Sequence, residues 1–264
     1  MISDVLIIIF FPILTGFMYF WMALEVKKIS KLRSLIFGEI AFKKMQFAFV
    51  IFGIYFASRP LQNILGVHPM PLIINCIRQF FLMAIVAPSI LVAIFHWIPQ
   101  ASGAPRSEKF ASYTVGTLMA IIFILLNSLA VDGSLLLCST GFIDIYDPVW
   151  FQNKNHSMQL VVIHLICQLV SPVGFLLLSA AYVRNRRHNY QLSDVYNLMT
   201  TKWKYLEFGL TIFAFSFITA GVTAILGAYY TYIWVIYFIG AIISGFFVLK
   251  SLKLPLRKAE GDLL

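Results

Sequence analysis

Residues 70–97 read MPLIINCIRQFFLMAIVAPSILVAIFHW, a stretch whose only formal charge is Arg78. At 1.5 Å of rise per residue, such a run as a helix crosses a hydrocarbon layer roughly 30 Å thick. The rest of the chain is of the same kind. Of 264 residues, 60% are hydrophobic and 12% charged, with a mean hydropathy of +0.86. A globule of this size has too little interior to hide that much apolar surface, so composition excludes a soluble domain. Seven apolar runs of spanning length emerge, at about 4–26, 45–65, 70–97, 110–131, 158–183, 206–227 and 229–250. Open strands are excluded because lipid cannot satisfy their edges. The expected fold is therefore all-α: a polytopic membrane protein, one seven-transmembrane-helix bundle over 1–264. No period of 20 to 50 residues and no inverted repeat stands out.

Charge sets the expected orientation. Basic residues cluster after the first run (Lys27, Lys28, Lys31, Arg33, Lys43, Lys44), after the third (Arg106, Lys109), after the fifth (Arg184, Arg186, Arg187, Lys202, Lys204) and after the seventh (Lys250, Lys253, Arg257, Lys258). Seventeen of the 20 Lys and Arg thus fall on one side, leaving Arg59, Arg78 and Lys154 on the other. The positive-inside rule makes the richer side cytoplasmic, with the N-terminus outside and the C-terminus inside. The net charge of +9 is accounted for by this rule and by attraction to anionic lipid heads, so no nucleic-acid partner is implied. The start, Met1-Ile-Ser-Asp4, lacks a basic n-region, and the first run reads as a helix rather than a signal peptide.

The connections and breaks carry further expectations. Residues 132–157 mix Gly, Asp, Asn and Pro with aromatics and read as an ordered outer cap. The inner stretch 184–204, with Ser193 or Asp194 as N-cap, extends the sixth helix, lies at the membrane interface or forms a solvated basic loop. Pro88 and Ser171-Pro172 should kink the third and fifth helices. Gly209, Ala220, Gly221, Ala224, Gly240, Ser244 and Gly245 supply small residues for close helix contact. Three cysteines are too few for a disulfide framework, although Cys76 and Cys138 both fall toward the outside and are within conceivable reach.

No cofactor is assigned, and two are disfavoured. A haem held between His96 and His164 would need them at one depth, yet the first lies near the inner end of its helix and the second near the outer end of its own. Retinal would need a midmembrane lysine, whereas Lys250 lies at the inner end of the seventh helix. His68, His156 and His164 with Asp132, Asp144 or Asp147 share the outer side without the tight spacing of a metal site. No nucleophile elbow, phosphate loop or paired-carboxylate signature appears, so an enzyme is the less favoured class.

Polarity concentrates in SRPLQNILGVHPMPLIINCIRQFF, residues 58–81. The second and third helices meet around Gly66-Val67-His68-Pro69 in a tight outer hairpin. Arg59, Gln62 and Asn63 recur at i, i+3 and i+4 on one helix, and Asn75, Arg78 and Gln79 repeat the spacing on the other. Arg78 lies about two turns inside, where a lipid-facing guanidinium costs roughly 3 kcal/mol, so it should face the interior with a partner. The candidate partners are Asp132, Asp144 and Asp147, with Asn127 and Gln168 deeper. One reading is a structural ion pair. The other is an outward-facing pocket formed by Arg59, Gln62, Asn63, His68, Asn75, Arg78, Gln79, Asp132, His164 and Gln168. Its forked guanidiniums suit a carboxylate, a phosphate or a polar head. Tyr229, Tyr230, Tyr232 and Trp234 are candidate aromatic walls.

The plan, carried by Arg59-Pro60, His68-Pro69, Pro71, Asn75, Arg78 and the basic exit LKSLKLPLRK (249–258), resembles the seven-helix membrane input modules of bacterial sensory receptors. That resemblance implies a sensor whose last helix leads to a cytoplasmic output. Eight residues follow Leu256, so the output would lie on a separate partner docked on the basic inner face, or the chain is an input half. The contrasting expectation is a small-solute transporter or a membrane subunit of a larger complex. A transporter would need polar groups continuing to the inner side, and beyond Gln168 the third and fifth helices turn apolar.

Overall fold

A backbone in hydrocarbon has to satisfy its own N–H and C=O groups, and helices do so locally. The structure, a computed structural model, describes residues 6–33, 39–65, 69–97, 106–139, 144–150, 158–191, 197–226 and 231–254. A π-helical turn at Leu6–Phe10 leads into α1 (Phe11–Arg33), followed by α2 (Glu39–Ala57), the short α3 (Arg59–Ile64) and α4 (Met70–Phe80). A π segment at Phe81–Val86 joins α4 to α5 (Ala87–Trp97), and α6 (Arg106–Ala130) comes next. Outside the helices, β1 (Val131–Ser139) and β2 (Asp144–Trp150) pair antiparallel, from Val131 opposite Trp150 to Ser139 opposite Asp144. Then α7 (Met158–Gln168), a π segment at Leu169–Gly174, α8 (Phe175–Gln191), α9 (Asn197–Leu226) and α10 (Thr231–Lys253) complete the chain.

Among the described residues, six helical stretches are long and apolar enough to cross a membrane: Leu6–Lys31, Ile40–Ile64, Met70–His96, Lys109–Leu126, Leu165–His188 and Ile233–Lys253. The protein is therefore a helical integral membrane protein. Of the run at 206–227, residues 206–226 lie in α9. This helix packs along α10 more extensively than any other pair. Residues 132–157 hold the β1–β2 hairpin, a paired ribbon not foreseen from their mixed composition. Its second strand packs against α3.

The bundle is centred on aromatic rings. Tyr19 of α1 is fully buried, stacks at 5.4 Å on Phe56 of α2 and at 6.0 Å on Phe213 of α9, and donates a 2.8 Å hydrogen bond to the Ala241 carbonyl of α10. One side chain thereby ties four helices. Phe52, Phe217, Tyr237 and Phe238 extend the cluster. Small residues bring α9 and α10 together as expected. Ser244 donates at 2.8 Å to the Gly209 carbonyl, and a Cβ on Gly209 would sit 2.9 Å from Val248 Cγ2.

Prolines set the breaks. Pro60 has no N–H for the Phe56 carbonyl, and α2 ends at Ala57 before α3 begins. Pro172 forces Ser171 out of helical geometry, to φ −144° and ψ 118°. The Ser171 hydroxyl then donates at 3.0 Å to the carbonyl of Met83, in the π segment before Pro88. The two distorted segments thus meet, and Gly116 of α6 packs against the same Met83 carbonyl. Cys76 and Cys167 are free thiols, so the conceivable Cys76–Cys138 bridge is not formed.

The last helix is held firmly at its Lys253 end. The buried Lys202 ammonium donates at 2.7 Å to the Leu254 carbonyl, satisfying one of the acceptors a helix C-terminus leaves open. Lys253 pairs at 3.0 Å with Glu25 of α1, and Arg187 of α8 pairs at 3.2 Å with Glu207 of α9.

Because Gly209 lets α9 approach α10, Gly209→Val should cost about 1–3 kcal/mol through overpacking. Phe215, 60% exposed on the outer surface of α9, should tolerate Phe215→Leu with little change. Thermal unfolding in detergent checks the pair; equal melting temperatures would contradict the close α9–α10 contact.

Candidate functional site

The broken end of α2 creates the site. A regular helix would pair the Tyr55 carbonyl with the N–H four residues on, but the chain stops at Ala57 and restarts at Arg59. Arg78, on α4 across the hairpin, fills the gap: its Nε donates at 2.9 Å to the Tyr55 oxygen. The Ser58 hydroxyl donates to the same carbonyl at 3.2 Å. A second guanidinium nitrogen, Nη1, donates at 2.6 Å to Gln62 Oε1 of α3. The guanidinium carbon lies 4.5 Å from the centre of the Tyr55 ring.

Arg78 is 4% exposed, so a positive charge is buried in the bundle as the cost of facing lipid requires. Its partners are nevertheless neutral: a carbonyl, an amide and an aromatic face. Its third nitrogen, Nη2, has no hydrogen-bond acceptor, and neither does Asn75 Nδ2 one turn earlier on the same helix, also buried. Both unfilled groups are donors. A buried donor without an acceptor costs roughly 1–3 kcal/mol.

Arg59 raises the positive potential further. Its guanidinium carbon stacks 3.7 Å from the Trp234 ring centre and 5.9 Å from that of Phe238, both on α10, and it lies close enough to Arg78 to repel it. Tyr237, buried beneath, feels both arginines and Tyr55. The Gln79 amide donates at 3.4 Å to the Tyr55 hydroxyl. The two polar stripes thus meet as the hairpin expectation required, with Gln62, Asn63, Asn75 and Arg78 all buried.

The fate of the remaining candidates differs. Gln168, at the end of α7, packs its amide oxygen against Gly221 of α9 and is not part of the Arg78 cluster. His68 lies outside the described residues, as do Tyr229, Tyr230, Asp147's side chain and the side chains of Asn127, Asp132, Asp144, His164 and Tyr232. Of the expected aromatic walls, Trp234 stands in place. Tyr55, Tyr237 and Phe238 were not anticipated, although Tyr55 precedes Arg59 by one helical turn and so shares its face.

Between α2 and α4 a cavity of about 190 Å³ reaches Tyr55 and Arg78. Its outer walls are Ile54, Ile77 and Phe81, which are 49%, 52% and 37% exposed and turn toward the bilayer. No protein-family model, curated protein or solved structure matches the chain, so the geometry carries the functional reading.

The Gln62 contact generates a paired prediction. Gln62→Ala leaves Arg78 Nη1 unpaired and should destabilise by about 1–3 kcal/mol. Gln62→Glu sets a carboxylate against the guanidinium and should melt at or above wild type. A Gln62→Glu protein that melts well below wild type would mean that Arg78 is already neutralised by an acid.

Proposed function

We propose that the chain is a membrane sensor module of seven spanning helices, with its N-terminus outside and its C-terminus in the cytoplasm of a bacterial inner membrane. It binds a small anionic or amphiphilic ligand in an outward-facing pocket around Arg78 and signals to a cytoplasmic partner or output domain. The observation that carries this reading is a buried guanidinium that has neutral partners, one open donor and a second arginine beside it. An arriving oxyanion supplies the missing acceptor and offsets the charge of Arg78 in a low-dielectric site. The seventh span is α9, and the orientation rests on the 17-to-3 split of the basic residues.

The same contacts suggest how binding is passed on. Arg78 holds Gln62 of α3, and Arg59 of α3 lies on Trp234 and Phe238 of α10. A ligand that reorders the guanidinium pulls on α3, and α3 leans on the helix whose far end is gripped by Lys202 and Glu25. A shift of population between two positions of α10 is then the signal.

Transport is the second reading, and the packing argues against it. Toward the other end of the bundle from Arg78 lie Phe52, Phe213 and Tyr19 in close contact. The buried hydroxyls of Ser179, Ser216 and Thr15 are spent on carbonyls of their own helices. Among the described residues, no continuous polar line leads through this core.

Equilibrium binding of a panel of carboxylate and phosphate anions to the purified protein in nanodiscs tests the proposal, alongside uptake of the bound anion into proteoliposomes. Saturable binding should weaken about tenfold or more in Arg78→Gln and in Gln62→Glu, the second variant keeping its melting temperature. Binding untouched by both substitutions would refute the pocket. Uptake that depends on Arg78 would make the chain a transporter.

A further inference from the structure

The cavity beside Arg78 opens sideways. Its mouth is formed by Ile54 of α2 with Ile77 and Phe81 on the α4 side, all substantially exposed on the surface that meets lipid, and its inner end by Tyr55 and Arg78. Ile51 adds to an otherwise hydrocarbon wall. A water-borne anion has no reason to enter by such a route, since it would shed its hydration against isoleucine before meeting a charge. A hydrocarbon chain loses nothing there, because it passes from lipid to lipid-like walls. At about 190 Å³ the space is also smaller than the roughly 300 Å³ at which pockets for bulky drug-sized ligands begin. It is shaped for a slender chain.

Polarity at the inner end completes the complementarity. Arg78 is more than nine-tenths buried, lines the cavity, and keeps Nη2 without an acceptor. Asn75 Nδ2, one turn along α4, is a second buried donor in want of one. A cavity with apolar walls and the buried Arg78 in its lining is matched by a hydrocarbon chain that ends in an oxyanion.

We infer that the occupant is a membrane-dissolved amphiphile, a hydrocarbon chain bearing a carboxylate or phosphate head, which enters laterally from the bilayer between α2 and α4 and docks its head on Arg78. This deepens the sensor reading, resting on its anion site while adding the ligand class and the route. Two sources share that chemistry, a free single-chain acid and an anionic phospholipid of the bilayer itself. In either case the aliphatic part lies along Ile54, Ile77 and Phe81. The head displaces no existing partner of Arg78, because Nε and Nη1 remain on Tyr55 and Gln62.

The test is binding of radiolabelled dodecanoate to the full chain in phosphatidylcholine nanodiscs, compared with acetate, which has no tail, and dodecanol, which has no charge. Dodecanoate should bind at least tenfold tighter than either. The preference should disappear in Ile77→Trp, which plugs the mouth, and in Arg78→Gln, which removes the charge. Ile54→Phe narrows the opposite wall and should act in the same direction, guarding against a local misfolding of the tryptophan variant; melting temperatures confirm that each variant is folded. Adding phosphatidic acid to the discs separates the sources. Displacement of dodecanoate supports a bilayer lipid, and retained binding supports a free acid. Arg78-dependent binding of acetate equal to that of dodecanoate, unaffected by both plugs, would overturn the lateral route while leaving the anion pocket standing. Dodecanoate binding indifferent to Arg78→Gln would overturn both.

Discussion

The hydrogen bond from Arg78 to the Tyr55 carbonyl joins the two features on which this site depends: a helix that cannot continue and a charge that cannot face lipid. Pro60 stops α2 at Ala57, and the Tyr55 carbonyl in the last turn before the break accepts from side chains instead. Arg78 cannot point at hydrocarbon without a cost of roughly 3 kcal/mol. Each solves the other's problem at 2.9 Å. The solution is partial, because a carbonyl and an amide oxygen satisfy two guanidinium nitrogens and leave the charge itself unneutralised. A site that is geometrically anchored and electrostatically incomplete is what a binding pocket needs to be before its ligand arrives.

The rest of the bundle isolates and connects this site. Aromatic packing around Tyr19 seals it from the far end of the bundle, so that the charge stays in low dielectric. The β1–β2 hairpin lies against α3, which carries Arg59 and Gln62. Arg59 rests on α10, whose far end is fixed by a buried lysine and an ion pair with α1. The weak point of the molecule is therefore the short α3, barely a turn and a half of helix between two breaks, and it touches both the charge and the last helix. A displacement of α3 is less costly than one of the long helices, because little apolar surface has to be re-buried.

Much of this was legible in the sequence because bilayer physics is strict. Composition alone required helices, and the run at 70–97 matches the span Met70–His96 closely. Arg78 was bound to turn inward, and its stripe with Asn75 was bound to meet that of Gln62 and Asn63 once Gly66 and Pro69 closed a hairpin. The partner was not legible. A backbone carbonyl 23 residues away leaves no trace in side-chain pattern, so an acid was expected where Tyr55 and Gln62 stand. Gln168 was drawn into the pocket by depth alone, and its contact with Gly221 shows that depth does not fix the azimuth around a helix. Tyr55 carries no mark in the sequence, because only the break after Ala57 gives it a role. The β1–β2 hairpin went unread because Asp, Gly and Ser interrupt the alternation that marks a strand.

Among the described residues, Arg78 carries a buried charge with no acid upon it. An experimental density map of the protein in native-lipid nanodiscs, at a resolution that shows side chains, tests it most directly. Arg78 should lie on the Tyr55 carbonyl and Gln62, with non-protein density against Nη2 that continues between Ile54 and Ile77. A bidentate contact between Arg78 and Asp132, Asp144 or Asp147, with no density in the cavity, would contradict it.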